Sequence, residues 1–181
     1  DRMWGAERLN VAAVLLRTLD IAARLGCDLP QRFACLGHAA GPGLASLSEL
    51  CRRLRVPLEC GELAQVTSRE LDAVQHCEAM DAVALLGLLE RCDAPRRPGR
   101  FEAMLLACEC ISKGSAAEME EAFPPRAHLL RALRAMLQVD TARIAAHAAG
   151  HGISGPGVGE AIREARLQAI AASLRAAKPA A

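Results

Sequence analysis

Residues 85–114, which read LLGLLERCDAPRRPGRFEAMLLACECISKG, decide the fold of this chain. Leucines crowd the part before the proline-rich centre, and Phe101, Met104 and Cys108 follow it at helical spacing. Proline stops one helix, and Gly99 allows the next to start at a new angle. The stretch therefore predicts two apolar helices joined at residues 93–95, with a second break at residues 98–99.

The composition favours helices along the whole chain. Apolar residues make up 52% of the 181 residues, whereas there is no tyrosine, one tryptophan and three phenylalanines, so strand formers are few. Helical periodicity is interrupted repeatedly by glycine and proline. We therefore predict an all-α fold of about nine helices in two consecutive helical units, residues 1–94 and residues 95–181.

Several predicted boundaries can be compared with the structure. We expect the first clear helix over residues 10–25 and a short acidic helix over residues 115–121. Residues 67–70 resemble a capping start, which predicts separate helices over residues 58–66 and 68–77. Residues 150–159 are the richest in glycine and predict a loop that leads into a last helix over residues 160–176.

The charge balance excludes a strongly basic nucleic-acid binder. The chain has 22 Lys+Arg and 21 Asp+Glu, and neither side of Pro98 has a marked excess of one sign. A local arginine patch remains compatible with a few phosphate contacts.

The eight cysteines favour free thiols in a reducing compartment, because most lie in apolar helical runs and no CxxC pair occurs. Cys108 and Cys110 point to different sides of a helix, which argues against a zinc site. No apolar run reaches the length of a membrane span, and no signal-peptide pattern or P-loop appears. The chain opens without methionine, which we interpret as a processed product or a piece of something longer.

Two stretches resemble the C-terminal half of bacterial tRNA CCA-adding enzymes, the tRNA nucleotidyltransferases. The first is residues 85–114, with LLERCDA, an Arg-Pro-rich joint and RFEAMLLACEC; the second is residues 155–166, GPGVGEAIREAR, which is similar to the family's tail signature. The resemblance implies a helical body and tail that hold the acceptor stem and elbow of tRNA. The family's nucleotidyltransferase head, a strand-rich opening with a Gly-Ser motif and an Asp-x-Asp pair, is not found, so we expect no catalytic residue.

Residues 32–43 are similar to the segment that carries a metal-binding HD phosphohydrolase motif in these enzymes. His38 matches its histidine, but Ala39 stands at the aspartate position and Pro42 at the lysine position. Two other histidine positions hold Val14 and Leu71, and the histidine-rich loop after the motif is missing. We interpret His38 as a remnant of the HD motif, and we expect no metal and no cofactor in this chain.

Arginines supply the candidate RNA contacts. They cluster in CRRLRVP, at the joint and in the last helix, where the glycine-rich start also exposes N–H groups that suit a phosphate. The alternatives are a solvated face near a helix C-terminus, pairing with neighbouring acids, and close packing at the glycines. The predicted contacts are Arg52, Arg53, Arg55, Arg96, Arg97, Arg100, Arg126, Gly157, Gly159, Arg163 and Arg166.

The first functional hypothesis is a module that binds tRNA or another structured RNA and lacks chemistry. The scarcity of aromatic residues favours recognition of shape and backbone over base stacking. The alternative is a non-catalytic structural subunit in a larger ribonucleoprotein assembly. A third hypothesis, an active phosphohydrolase, is disfavoured by the missing ligands. Expected partners are the RNA, a separate nucleotidyltransferase head or a larger assembly, but no membrane. We expect an intracellular location, the cytoplasm or an organelle if a targeting segment was removed.

Overall fold

The structure, a computed structural model, describes residues 2–39, 44–116 and 122–177. These residues form helices and no strand, which confirms the predicted all-α fold. The α-helices in the described ranges are α1 (Arg2–Arg24), α2 (Leu29–Ala39), α3 (Leu44–Leu54), α4 (Leu58–Gln75), α5 (Ala82–Arg91), α6 (Pro98–Ser115), α7 (Pro124–Leu137), α8 (Thr141–Gly150) and α9 (Pro156–Ala177), and a short 3-10 helix covers Cys77–Ala79.

The residues around α5 show how local chemistry sets the helix ends. Asp81 is the N-cap, and its carboxylate accepts a hydrogen bond from the Ala84 N–H at 2.8 Å. At the other end Asp93 has a positive φ of 53°, and the Ala94 N–H donates to the Leu89 carbonyl at 3.0 Å. This is a Schellman cap with a non-glycine residue in the left-handed position. The predicted break at residues 93–95 is therefore a defined cap.

Contacts divide the chain into two compact units, each of which is discontinuous in sequence. Unit 1 comprises Asp1–His76 and Gly99–Arg126, and unit 2 comprises Cys77–Pro98 and Ala127–Ala181. Helix α6 thus lies in unit 1, although it follows the joint in sequence. The predicted division into residues 1–94 and 95–181 stays a prediction.

Unit 1 is built on the packing of α2 against α4 and α1, with α3 against α4. Its core includes Leu63, Val74, Phe101 and Met104, all at most 2% exposed. Helices α1 and α6 meet at Gly114, because an added Cβ there would lie 1.9 Å from Oγ1 and 3.0 Å from Cα of one α1 residue, Thr18. Only a glycine permits this close approach.

Unit 2 is built on α9, which packs against α5 and α8. The four leucines at the centre of α5 are fully buried, whereas Val83 near its start is 53% exposed. The largest fully buried side chains of this unit are Leu85, Leu86, Leu88, Leu89, Leu129, Met136 and Ile170.

Three predicted boundaries were wrong. Residues 58–77 do not form two helices, because α4 runs without interruption from Leu58 to Gln75. The predicted start of its second half is inside the helix: Thr67 is fully buried, and Glu70 pairs with Arg69 at 2.8 Å. The first helix begins at Arg2, eight residues before the predicted start at Asn10. The predicted acidic helix over 115–121 lies mostly outside the described residues.

The third error concerns the glycine-rich stretch. Helix α9 begins at Pro156, so Gly157 and Gly159 lie in a helix and do not belong to a loop. Proline suits the first helical position because it needs no N–H partner there. Gly155, with φ of +56°, makes the turn that precedes it.

The cysteines agree with the prediction of free core thiols. All eight are free, and seven are buried, Cys51 being the half-buried exception. In unit 1 the Cys27 and Cys110 sulfurs lie 3.7 Å apart. Burial raises the pKa of the Cys27 thiol to about 12. No helix of the described residues is both long and apolar enough to cross a membrane.

Candidate nucleic-acid interface

The arginines at the end of α3 are presented by a second Schellman cap. Arg55 occupies its left-handed position with φ of 50°, and the Val56 N–H donates to the Cys51 carbonyl at 3.0 Å. Arg52 forms a two-point ion pair with Glu49, at 2.6 and 2.9 Å. Arg53 and Arg55 are exposed and form no ion pair with any residue that the structure describes. This corner of unit 1 therefore has two guanidinium groups available for phosphate.

The joint in unit 2 also presents one free arginine. The N–H groups of Arg96 and Arg97 both donate to the Asp93 carbonyl, at 3.2 and 3.0 Å, which closes the backbone into a turn. The Arg97 guanidinium is 3.7 Å from the Asp93 carboxylate. Arg96 is exposed, and no carboxylate within the described ranges pairs with it. Pairing with a neighbouring acid, one of the alternatives, thus applies to Arg97 and not to Arg96.

Two other predicted contacts are held inside unit 1 by carboxylates. Arg100 lies 3.3 Å from Glu62 across α6 and α4, and its side chain is 25% exposed. Arg126 lies 3.1 Å from Glu109, whose other oxygen is 2.8 Å from the Lys113 ammonium. The Glu109 side chain is only 10% exposed, so these cations compensate a largely buried charge. Both arginines have a structural role that RNA binding would have to share.

The two arginines of α9 that were predicted to contact RNA, Arg163 and Arg166, are also engaged or half-buried. Arg163 lies 3.3 Å from Glu90 at the end of α5, which links the last helix to the residues just before the joint. Arg166 is half-buried, and its Nε has no partner among the described residues. The N–H of Gly157 is in the first turn of α9, where α-helices leave such groups without an intrahelical partner. The N–H of Gly157 is therefore still available to an anion, although the prediction that this residue lies in a loop was wrong.

His38 is at the C-terminal end of α2, and it is exposed, with enough of the ring covered to lower its pKa. Ala39, at the aspartate position, is the last residue of α2, whereas residues 40–43, which include the lysine position, are outside the described ranges. Within those ranges, no group of three or more His, Cys, Asp or Glu side chains could hold a metal ion.

Sequence reasoning missed a cleft in unit 2 that is lined by His128, Arg131 and Arg175. His128 and Arg131 are three residues apart on α7, which is a signal for a shared helix face. Nothing in the sequence pairs them with Arg175, because that residue is more than forty positions away near the end of α9. His128 is half-buried, although nothing in the sequence pattern distinguishes it from an exposed histidine.

Comparison with known proteins shows similarity over almost the whole chain. The multifunctional CCA protein of Acidovorax sp. (strain JS42) is 41% identical over an alignment of 205 positions, which covers 99% of this chain and 48% of that protein. Those of Paracidovorax citrulli (strain AAC00-1) and Ralstonia nicotianae are 40% and 33% identical over 100% and 94% of the chain. The chain spans about half the length of these relatives.

No protein-family model matches the chain, and no solved structure matches it either. The curated relatives confirm the resemblance that residues 85–114 and 155–166 predicted. They are consistent with a match to one half, the C-terminal half, of a CCA-adding enzyme.

Proposed function

We propose that this relative of the multifunctional CCA proteins binds tRNA or a similarly structured RNA and carries out no chemistry of its own. The observation that carries the proposal is the similarity, over 99% of the chain, to only about half of a CCA protein. The half that is matched contains the predicted body and tail, which the resemblance assigns to holding tRNA. We propose that the chain works without a cofactor and inside a reducing compartment, where its free thiols are stable.

The pattern of arginine pairing supports a small phosphate-binding surface. Arg53 and Arg55 in unit 1 and Arg96 in unit 2 are exposed, and each is free of ion pairs with the described residues. They lie in or beside two left-handed caps, which fix the backbone from which the side chains project. Arg97 and Arg100 are already held by carboxylates, so we expect them to contribute less.

The absence of hydrolysis is inferred from the HD region, which the sequence analysis predicts to lack its metal ligands and its histidine-rich loop. The alignment with the Acidovorax protein covers 205 positions, whereas this chain has 181 residues, so at least 24 positions of the relative lack a counterpart here. A loss of that size agrees with the predicted missing histidine-rich loop. A divalent metal needs several converging ligands, and His38 alone does not provide them.

The test is binding of fluorescent tRNA, and of an unrelated RNA hairpin, to the full chain at 50–300 mM KCl, concentrations typical for such titrations. We expect tighter binding to tRNA and a linear fall of log affinity with log salt. The variant R53A/R55A should reduce the slope by roughly 1.5, since each phosphate contact contributes about 0.7 to 0.9.

The matched control is R24A/R52A, which removes the same charge from exposed arginines that already have acidic partners. It should alter the slope much less. Equal slopes for the two variants would remove the α3 corner from the interface, and absence of binding at the lowest salt would overturn the RNA role.

One observation favours the alternative, a structural subunit docked in a larger assembly, including one with a separate nucleotidyltransferase head. Large apolar side chains flank two turns of unit 1 and are well exposed: Leu29 at 65%, Leu54 at 59% and Leu58 at 77%. Leu54 and Leu58 are four positions apart, on either side of the turn between α3 and α4, and exposed apolar patches are typical of docking surfaces. Association of the purified chain with itself or a partner that is lost in L54S/L58S, together with no RNA binding, would favour this alternative.

A further inference from the structure

The cleft lined by His128, Arg131 and Arg175 lies entirely within unit 2 and has a volume of about 450 Å³. That volume is in the usual range for small-molecule sites, ~300–1,000 Å³. Its remaining polar lining is acidic, from Glu78 and Asp81 beside the start of α5. The cleft therefore has cations and anions together in one concave surface.

The two arginines are not neutralised by carboxylates. The Arg131 guanidinium donates to Nδ1 of His128 at 3.1 Å, and neither Arg131 nor Arg175 forms an ion pair with a described residue. Burial and the nearby Arg131 charge both lower the pKa of His128, so the ring stays neutral and continues to accept this bond. His128 is thus a positioning residue for Arg131. Two guanidiniums in one cleft, one of them held in place, suit a phosphate.

The acidic side chains retain oxygens for hydrogen-bond donors. One Asp81 oxygen accepts from the Ala84 N–H at 2.8 Å, which leaves the other available. Glu78 forms no ion pair with the described residues, although it lines the same cleft. Carboxylates of this kind accept from hydroxyl groups and repel a second phosphate. Met80 and Leu174 add apolar surface between the two polar groups.

We propose that this cleft binds a small phosphate monoester that also carries hydroxyl groups, a sugar phosphate, with the phosphate on Arg131 and Arg175 and the hydroxyls on Glu78 and Asp81. Inorganic phosphate would satisfy only the arginines. An RNA backbone would place further phosphates against the acids, which favours a small ligand over a polymer.

The cleft shares no residue with the proposed RNA interface, which consists of Arg53, Arg55 and Arg96. Arg163, a predicted RNA contact on the same helix, precedes Arg175 by twelve residues, which separates them by ~18 Å along the helix axis. Failure of one proposal therefore does not affect the other, and tRNA binding by R175Q should equal that of the unmodified chain.

The experiment is isothermal titration calorimetry of the full chain with ribose 5-phosphate, inorganic phosphate and ribose as separate probes. We expect saturable binding of ribose 5-phosphate, weaker binding of phosphate and none of ribose. R131Q and R175Q should each weaken ribose 5-phosphate binding about tenfold, because each removes a charge-assisted hydrogen bond. E78Q should weaken ribose 5-phosphate but not phosphate.

The matched control is R134Q, an exposed arginine one turn further along α7 that does not line the cleft. It should leave binding unchanged. Because no ion pair in the described ranges involves Arg175, R175Q decides the question even if R131Q loses helicity. Equal binding of ribose 5-phosphate and phosphate, or equal loss in R134Q and R175Q, would overturn the proposal.

Discussion

Replacing Gly114 by alanine should destabilise unit 1, because α1 and α6 are closest at this residue. The new Cβ would lie 1.9 Å from Oγ1, 2.9 Å from Cβ and 3.0 Å from Cα of Thr18. A rotation about χ1 could remove the hydroxyl from the contact, but it cannot move Cβ or the backbone. The helices would have to separate, which would also strain the hydrogen bond from Arg17 Nε to the Gly114 carbonyl, now 3.0 Å long.

Two opposing terms set the size of the effect. Overpacking of a close contact costs about 1–3 kcal/mol, occasionally more. Alanine is about 1 kcal/mol better than glycine inside a helix, which offsets part of that cost. Since the contact is with the backbone, we expect the overpacking cost to be at or above its upper end, and a net loss of about 2 kcal/mol. For a chain of this size that corresponds to a fall in Tm of roughly 4–8 °C.

The assay is thermal and urea unfolding followed by circular dichroism at 222 nm, a helix signal. Gly99→Ala is the matched control, since it makes the same substitution in α6 at a position where the new Cβ meets nothing within 4 Å. Equal stability of G114A and G99A would refute the reasoning. T18A should partly rescue G114A, because it removes the hydroxyl and one methyl but leaves Cβ and Cα.

Charged residues and cysteines of the two units give further predictions. Glu109→Gln should lower the free energy of unfolding by about 2 kcal/mol, a value reduced because one of its two cationic partners is partly exposed. In contrast, E49Q should change the free energy of unfolding by at most about 0.5 kcal/mol, as is usual for exposed pairs. A thiol reagent should modify Cys51 first in the folded protein, because the other described cysteines are buried. Burial raises the pKa of Cys27 and Cys77 from 9.0 to about 12, so the contribution of these two thiols to stability should be constant below pH 9 and fall between pH 9 and 12, where the unfolded chain ionises first; a flat urea midpoint between pH 9 and 12 would contradict this.

Local signals predicted much of the fold but failed where tertiary contacts decide. The break at residues 93–95 was recognisable, since proline acts within a few positions of the helix end. The predicted break before Ser68 failed because Thr67 is carried into the core of α4, where burial outweighs its preference for a cap. The sequence of residues 67–70 alone does not show that Thr67 is buried in the core.

The candidate site shows the same limit. The sequence identified the arginines, but whether each is free depends on acids far away in the chain. Glu62 and Arg100 are 38 positions apart, and Glu90 and Arg163 are 73 apart. Arg97 pairs with Asp93 and its sequence neighbour Arg96 does not. The turn at Asp93 sets this difference.

The interleaving of the two units has a consequence for synthesis on the ribosome. Unit 1 lacks α6 until Ser115 has been translated, and α6 supplies Phe101, Met104 and Leu105 to its core. The ribosome must therefore translate α5, which belongs to the other unit, before α6 is available. Until then the apolar faces of α1 to α4 cannot be fully buried. A chain that ends at Ala94 would lack α6 altogether, so the apolar faces of these four helices would stay partly exposed.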